Sequence, residues 1–234
     1  MESNLTEFSY GYAVTDEIVN HHLKGRVNTA PYFPSLQDEG KDGGYDVKVS
    51  AIFLQFKLSD YLKSKKSKEM YLFEHPYYRM KLRCLKFSKQ HYLLCDLERE
   101  NPNQVFYIAP EFYEEKDLTN NFIMRKIIDN SALFSPLEIG YLDDEKHYIV
   151  FDDRSDFGYL CSDNPLKKSK KKLSNILEIF QEKSLKRLKN EMINILNNRE
   201  VKVSSKILDN SELSDFEAIN ILAHHYFGCE VLFF

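Results

Sequence analysis

Apolar residues recur along the chain with two different spacings, and each spacing predicts a different kind of secondary-structure element. Spacings of three or four residues predict helices over 4–24, 90–99, 117–129, 170–198 and 215–227, and a further helix that begins at Ser59. Alternating or short continuous apolar runs predict strands at 45–49, 52–56, 80–85, 104–108, 147–151, 158–161 and 230–234. The prolines and glycines between Pro31 and Gly44 predict an irregular loop. Helices and strands mixed in this way indicate an α+β fold.

A lysine-rich tract, Lys167–Lys172, is the one segment of strongly biased composition and marks a candidate boundary. Residues 1–164 are expected to form an α/β core domain. Residues 165–234 are expected to form an extension made of the long basic helix, a last helix and a terminal strand. The apolar stripe of the long helix would pack on the core, or would join a second copy of the chain or a partner protein.

The run 43–57 predicts a β-hairpin with a tight reversal at 50–51. This register sets Asp46 directly opposite Gln55, and strand alternation places Lys57 on the same face. The other face is wholly apolar. The polar face carries Asp46, Lys48, Phe53, Gln55 and Lys57. An ordinary solvent-facing side of a half-buried hairpin would show the same pattern, so the structural and the functional interpretation both stay open.

The functional interpretation of this polar face is a divalent-metal site. Phosphodiester hydrolysis uses a hard cation held by oxygen ligands, next to a cationic side chain that stabilises developing negative charge. Asp46 and Gln55 would hold Mg²⁺ or Mn²⁺, while Lys57 would orient the attacking water or stabilise the phosphorane. Gln55 is neutral, so a further acid would help to hold the metal. The candidates for this acid are Glu7, Glu17 and Glu39.

This order of residues resembles the PD-(D/E)XK restriction-endonuclease-like superfamily, and most closely its Mrr-like branch, in which Gln replaces the second acid. The matching pieces are Glu7 or Glu17 in a first helix, Gly44-Tyr45-Asp46 on a strand, and Gln55-Phe56-Lys57 on the next strand. The resemblance implies a central mixed sheet flanked by helices, with 90–99 and 104–108 as the next core helix and strand. It also implies metal-dependent cleavage of phosphodiester bonds, with bacterial defence or DNA processing as the expected setting. The chain further resembles an uncharacterised bacterial family with EFSYGYA, APYFPS, GYD and QFK segments, which implies no activity.

The charge distribution adds a candidate nucleic-acid surface. The net charge is −4, but the segment 167–189 holds nine Lys or Arg against two Glu. Lysine clusters neutralise phosphates without reading sequence. The candidate nucleic-acid-binding residues are Lys167, Lys168, Lys170, Lys171 and Lys172. A solvated face of an amphipathic helix would explain the same cluster.

Cysteine usage and the N-terminus indicate a cytoplasmic protein. The four cysteines lie far apart with no C-x-x-C pair, which argues against a zinc knuckle and a secreted disulfide framework. No signal peptide and no membrane-spanning run is visible. The expected function is a metal-dependent nuclease. The alternatives are a catalytically inactive nuclease-fold module that binds protein or nucleic acid, and an interaction protein that associates through the 170–198 helix, so whether the chain is an enzyme is left open.

Overall fold

The computed structural model describes residues 1–22, 48–162, 164–173, 176, 182–204, 207 and 213–233, and it is of the α+β class that the sequence predicts. The helices of these residues are α1 (Glu7–Glu17), α2 (Gln90–Glu100), α3 (Glu115–Met124), α4 (Pro136–Ile139), α5 (Leu185–Asn198) and α6 (Asp215–Leu222). The strands are β1 (Lys48–Val49), β2 (Ala51–Phe56), β3 (Ser59–Leu62), β4 (Tyr77–Leu82), β5 (Val105–Pro110), β6 (Ser131–Phe134), β7 (His147–Phe151), β8 (Phe157–Cys161), β9 (Leu166–Ser169), β10 (Lys183–Ser184) and β11 (Glu230–Phe233). None of the described helices is long and apolar enough to cross a lipid bilayer.

The four-stranded sheet is mixed and has the order β11-β2-β5-β6. Strands β2 and β5 are parallel neighbours, with Gln55 beside Tyr107, and α2 lies in the connection between them. Strands β11 and β6 complete the sheet as antiparallel neighbours of β2 and β5. The predicted helix 90–99 and strand 104–108 are confirmed to within two residues at each end.

Both faces of this sheet are covered. One face packs on α1 through Tyr10, Val14 and Ile18. The opposite face packs on α2, α5 and α6, to which Leu94, Leu188 and Ile219 belong. All six residues of β2 are buried, as expected for a central strand with helices on both sides.

The predicted hairpin is wrong. Strand β1 pairs with β10, with Lys48 beside Ser184, and not with β2. The two edges of β2 are occupied by β11 and β5, so Ile52 pairs with Leu232 where the hairpin would have paired it with Val49. The physical reason is that Ser-Ala is a poor two-residue turn, while the fully apolar β2 gains more from a central position in the sheet.

The second large sheet is antiparallel throughout and has the order β3-β4-β7-β8-β9. The helix that was expected to begin at Ser59 is wrong, because 59–62 forms β3 and pairs with β4. Just beyond β9, Lys171 forms an isolated bridge to Leu133 of β6 and so links the two sheets. Strand β3 begins two residues after Lys57, which places Lys57 where the chain passes from one sheet to the other.

The long helix predicted over 170–198 is also corrected. Residues 166–169 form strand β9, 183–184 form β10, and the helix itself spans only Leu185–Asn198. Its predicted apolar stripe is buried from Leu188 to Leu196 against α2 and α6, so within the chain this stripe already has partners. The terminal strand β11 joins the central sheet. The division at residue 164 stays a prediction.

The end of the chain is held by signals that the sequence shows directly. Ser214 and Glu217 form a reciprocal capping box at the start of α6. A π-helical turn, Ala223–Phe227, extends α6 and ends at Gly228, whose φ is +62°. A glycine in the left-handed conformation is a common end of a helix.

Candidate functional site

The candidate site lies at the carboxyl end of β2, beside the end of its parallel neighbour β5. Gln55 and Lys57 share the face of β2 that Phe53 occupies, and the backbone N–H of Lys57 donates to Ile108 O at 2.9 Å. In mixed sheets of this kind, ligands bind outside the carboxyl ends of parallel strands. The two residues of the predicted Gln-x-Lys pair are therefore at the edge of the sheet where ligand sites occur.

Lys57 is the most unusual group at this edge. Its side chain is buried, with 9% of the residue exposed, and its Nζ lies 5.9 Å from the centroid of the Tyr107 ring. Burial lowers the pKa of the Lys57 amine, the negative charge of Glu7 opposes this shift, and the positive charge of Arg83 adds to it. A cation held away from water interacts more strongly with a nearby negative charge than one on the open surface does.

Glu7 reaches this edge because α1 packs closely on β2. Thr6 caps α1 by accepting a hydrogen bond from the Ser9 N–H at 3.0 Å, which places Glu7 in the first turn. One turn later Gly11 lies against Phe56, where an added Cβ would come within 3.0 Å of the ring. The small residue lets the helix approach the strand, so the exposed carboxylate of Glu7 acts electrostatically on Lys57.

Gln55 faces inward and its polar atoms are already bonded. Its Oε1 accepts a short hydrogen bond from Gln90 Nε2, and its own Nε2 donates to Phe56 O at 3.1 Å. The Gln90 amide also donates to Phe227 O and Gly228 O, each at 3.1 Å. In this arrangement the Gln55 oxygen links β2 to α2 and the C-terminal turn, and the hydrogen bond from Gln90 uses one of its two lone pairs.

The other predicted metal ligands divide into two groups. Asp46 and Glu39 lie outside the described residues. Glu17 is fully buried at a distance from the site, where its carboxylate accepts hydrogen bonds from the N–H groups of Ile127 and Ile128. Within the part of the chain that the structure describes, no group of three His, Cys, Asp or Glu residues is placed to hold a metal ion. Among the predicted acids in the described residues, Glu7 is the one whose charge affects the pKa of Lys57.

The predicted nucleic-acid lysines are on strand β9 and in the segment after it, not on a helix. Lys170 and Glu111 form an ion pair at 2.6 Å, with 2% and 3% of their side chains exposed. Lys172 binds the second oxygen of Glu111 at 3.0 Å and Asp129 O at 2.6 Å. The helical placement was wrong because Lys170 and Lys172 form ion pairs with the buried carboxylate of Glu111, just after β5.

The remaining three lysines are nearer the surface. Lys171 forms an ion pair with Glu138 at 2.7 Å, and Lys168 donates to Glu138 O at 2.8 Å. Lys167 is exposed, with its Nζ 3.7 Å from the centroid of the Phe157 ring. Their role in binding nucleic acid stays a prediction.

Sequence reasoning missed two residues at the site, Gln90 and Arg83. Nothing local distinguishes Gln90, because its partners lie 35 and 138 residues away in the chain. Arg83 carried a visible signal, since 79–89 holds five Lys or Arg and no acid. A systematic count of local charge would have found this segment as readily as the lysine tract.

No protein-family model, curated protein or solved structure matches this chain. The resemblance to the PD-(D/E)XK superfamily therefore stays a prediction. A function has to be argued from the geometry of Lys57 and its neighbours.

Proposed function

We propose that this protein is a metal-dependent nuclease whose chemistry is centred on Lys57. The observation that carries the proposal is a buried amine at the carboxyl end of two parallel strands, within range of the charge of Glu7, which acts to raise its pKa. The connection from β2 to its parallel neighbour β5 contains α2, a helix that the resemblance implies there, and it also contains β3 and β4.

Each residue has a definite task in this proposal. Lys57 would donate to a non-bridging phosphate oxygen and stabilise the charge that builds up on the phosphorane. Its position away from bulk water makes this interaction stronger and costs no reorganisation during the reaction. Glu7 would hold the amine in place and supply one oxygen donor at the mouth of the site.

A bound Mg²⁺ or Mn²⁺ would polarise the phosphate and lower the pKa of a bound water. Hard oxygen donors suit these ions, and Glu7 is such a donor, but one carboxylate is too few for a stable site. The fit of the metal therefore depends on Asp46 and Glu39. Gln55 could contribute through the lone pair of its Oε1 that the hydrogen bond from Gln90 leaves available.

The test is a cleavage assay with the purified full chain, Mn²⁺, and plasmid or single-stranded substrates. Lys57→Ala should lower the cleavage rate about 100- to 1000-fold, as loss of one preorganised donor does in other enzymes. Asp46→Ala should abolish cleavage. Lys116→Ala, at an exposed position on α3, is the matched control and should cleave as the wild type does. Cleavage that neither site variant lowers would mean a contaminant or a different site, and the proposal would fail.

A second candidate is a nuclease-like module that binds nucleic acid or protein without cleaving. The observation that favours it is the Gln90–Gln55 hydrogen bond, which occupies the one neutral oxygen that the motif offers to a metal. Salt-sensitive binding of oligonucleotides, with no cleavage in Mn²⁺ by the wild type, would favour this candidate over the nuclease.

A further inference from the structure

The segment that joins β4 to α2, residues 83–89, exposes cationic and apolar side chains together. We call it the β4–α2 loop. Phe87 and Leu85 are 76% and 40% exposed. Arg83, Lys86 and Lys89 are also exposed, and the Lys86 Nζ lies 5.0 Å from the centroid of the Phe87 ring. A large aromatic ring left in solvent between cations is typical of a surface that contacts a ligand.

The loop is held in shape before any ligand binds. The N–H groups of Phe87 and Ser88 donate to Cys84 O at 3.1 and 3.2 Å, which closes a tight turn. Cys84 itself is buried and anchors the turn. The N–H of Lys86 donates to Asp144 Oδ1 at 2.7 Å, which fixes the tip of the loop to the segment before β7. Because the turn is fixed, ordering it on binding would cost little conformational entropy.

The loop also lies beside the candidate site. Strand β3 follows Lys57 by two residues, and its first residue, Ser59, pairs with Met80 of β4. Lys57 and Arg83 therefore lie at the same end of the β3–β4 pair. The positive charge of Arg83 adds to the burial that lowers the pKa of the Lys57 amine. Further along the β3–β4 pair, the Asp60 carboxylate binds both Arg79 and Lys81. Arg83, the next cation along the chain, does not bind Asp60.

We propose that the β4–α2 loop binds a single-stranded nucleic acid, with Phe87 stacked on a base and Arg83 and Lys86 on the adjacent phosphates. The proposed binding surface depends on the loop alone. That the bound nucleic acid then reaches Lys57 rests on the proposed function. Single strands fit because their base faces are free to stack, whereas a duplex hides them. An anionic membrane could also attract cations beside a phenyl ring, but the patch holds two apolar side chains and adjoins a site suited to phosphate.

Fluorescence anisotropy with labelled oligothymidylate, in EDTA and low salt, tests this surface on the full chain. Phe87→Ala should weaken binding roughly 5- to 100-fold, the range found for loss of one stacking residue. Lys86→Gln should reduce the slope of log affinity against log salt by about 0.7, the value for one lost phosphate contact on a single strand. Tyr71→Ala, which removes another exposed aromatic ring, and Lys116→Gln, on α3, should bind as the wild type does.

Three results would overturn the proposal: no binding by the wild type, unchanged binding by Phe87→Ala, or binding to phosphatidylserine vesicles in place of oligonucleotide. The variants remove solvent-exposed side chains, and far-UV circular dichroism would verify that they fold. Failure of the two proposals is distinguishable because this assay contains no divalent metal. Oligonucleotide that is bound but never cleaved in Mn²⁺ overturns the nuclease alone. Cleavage together with unchanged binding by Phe87→Ala overturns the loop alone.

Discussion

Gly228 lies where the side chain of Gln90 crosses from α2 to Gln55, and replacing it by alanine should break that contact. A Cβ at this position would overlap Gln90 Nε2 and would approach Gln55 Oε1 to 3.4 Å. The same residue has a φ of +62°, a conformation that alanine adopts only with strain. Gly228→Ala therefore acts through two separable effects, backbone strain and displacement of Gln90.

The two effects have different magnitudes and can be added. The left-handed backbone costs alanine about 1–2 kcal/mol relative to glycine. Displacing Gln90 leaves the buried Gln55 oxygen without a donor, which costs about 1–3 kcal/mol. Gly228→Ala should thus destabilise the fold by about 2–5 kcal/mol, and Gln90→Ala alone by about 1–3 kcal/mol. In the double variant nothing remains to clash with the methyl group, so the added cost of Gly228→Ala should fall to about 1–2 kcal/mol.

A double-mutant cycle measures this difference. Urea unfolding followed by far-UV circular dichroism would give the free energy of unfolding of the four proteins. Gly140→Ala is the control, because Gly140 also has a positive φ but no atom lies within 4 Å of its added Cβ, so its cost should be the same with and without Gln90. If Gly228→Ala costs the same in both backgrounds to within about 0.5 kcal/mol, the two residues are not coupled and the reasoning is refuted.

Two further predictions concern buried charges. Glu111→Gln should destabilise the fold by about 3–5 kcal/mol, because it leaves the Lys170 ammonium buried without its counter-charge. Glu138→Gln, which removes the half-exposed partner of Lys171, should cost at most about 1 kcal/mol, and equal losses in urea unfolding would contradict the burial argument. Lys57→Met should raise stability near neutral pH, because burial makes the charged amine less stable in the folded state than in the unfolded chain. This gain should shrink as the pH rises towards the usual lysine pKa of 10.5, and a gain that is constant with pH would contradict the assigned cause.

Local signals in the sequence predicted the elements that depend on neighbouring residues. The helix predicted over 215–227 begins at Asp215, where Ser214 and Glu217 cap it, and its π-helical turn ends at Gly228. Helix α2 and strand β5 were found because their apolar spacing is regular and their ends are well marked. Such features follow from backbone geometry and from the nearest side chains, which the printed sequence shows directly.

Partners from distant parts of the chain could not be predicted in the same way. Strand β2 pairs with β11 and β5, and a completely apolar strand carries no indication of which strands lie beside it. Lys170 was expected in solvent because of its lysine neighbours, yet its counter-charge Glu111 lies 59 residues earlier in the chain. A charge pattern predicts the exposure of a lysine only when no buried carboxylate is within its reach.

The same limitation applies to the Gln-x-Lys pair, because residues far from it in sequence decide what Gln55 can do. Phe227 and Gly228 hold the amide of Gln90, and Gln90 in turn holds the oxygen of Gln55. A metal that displaced Gln90 from this oxygen would lose a hydrogen bond worth about 0.5–1.5 kcal/mol, and each 1.4 kcal/mol weakens binding tenfold. The described residues give the buried Lys57 amine no hydrogen bond to break, and the Tyr107 ring lies 5.9 Å from its Nζ. The lysine is therefore the residue of the motif on which a catalytic role rests most directly, while the glutamine couples the C-terminal turn to the strand that carries it.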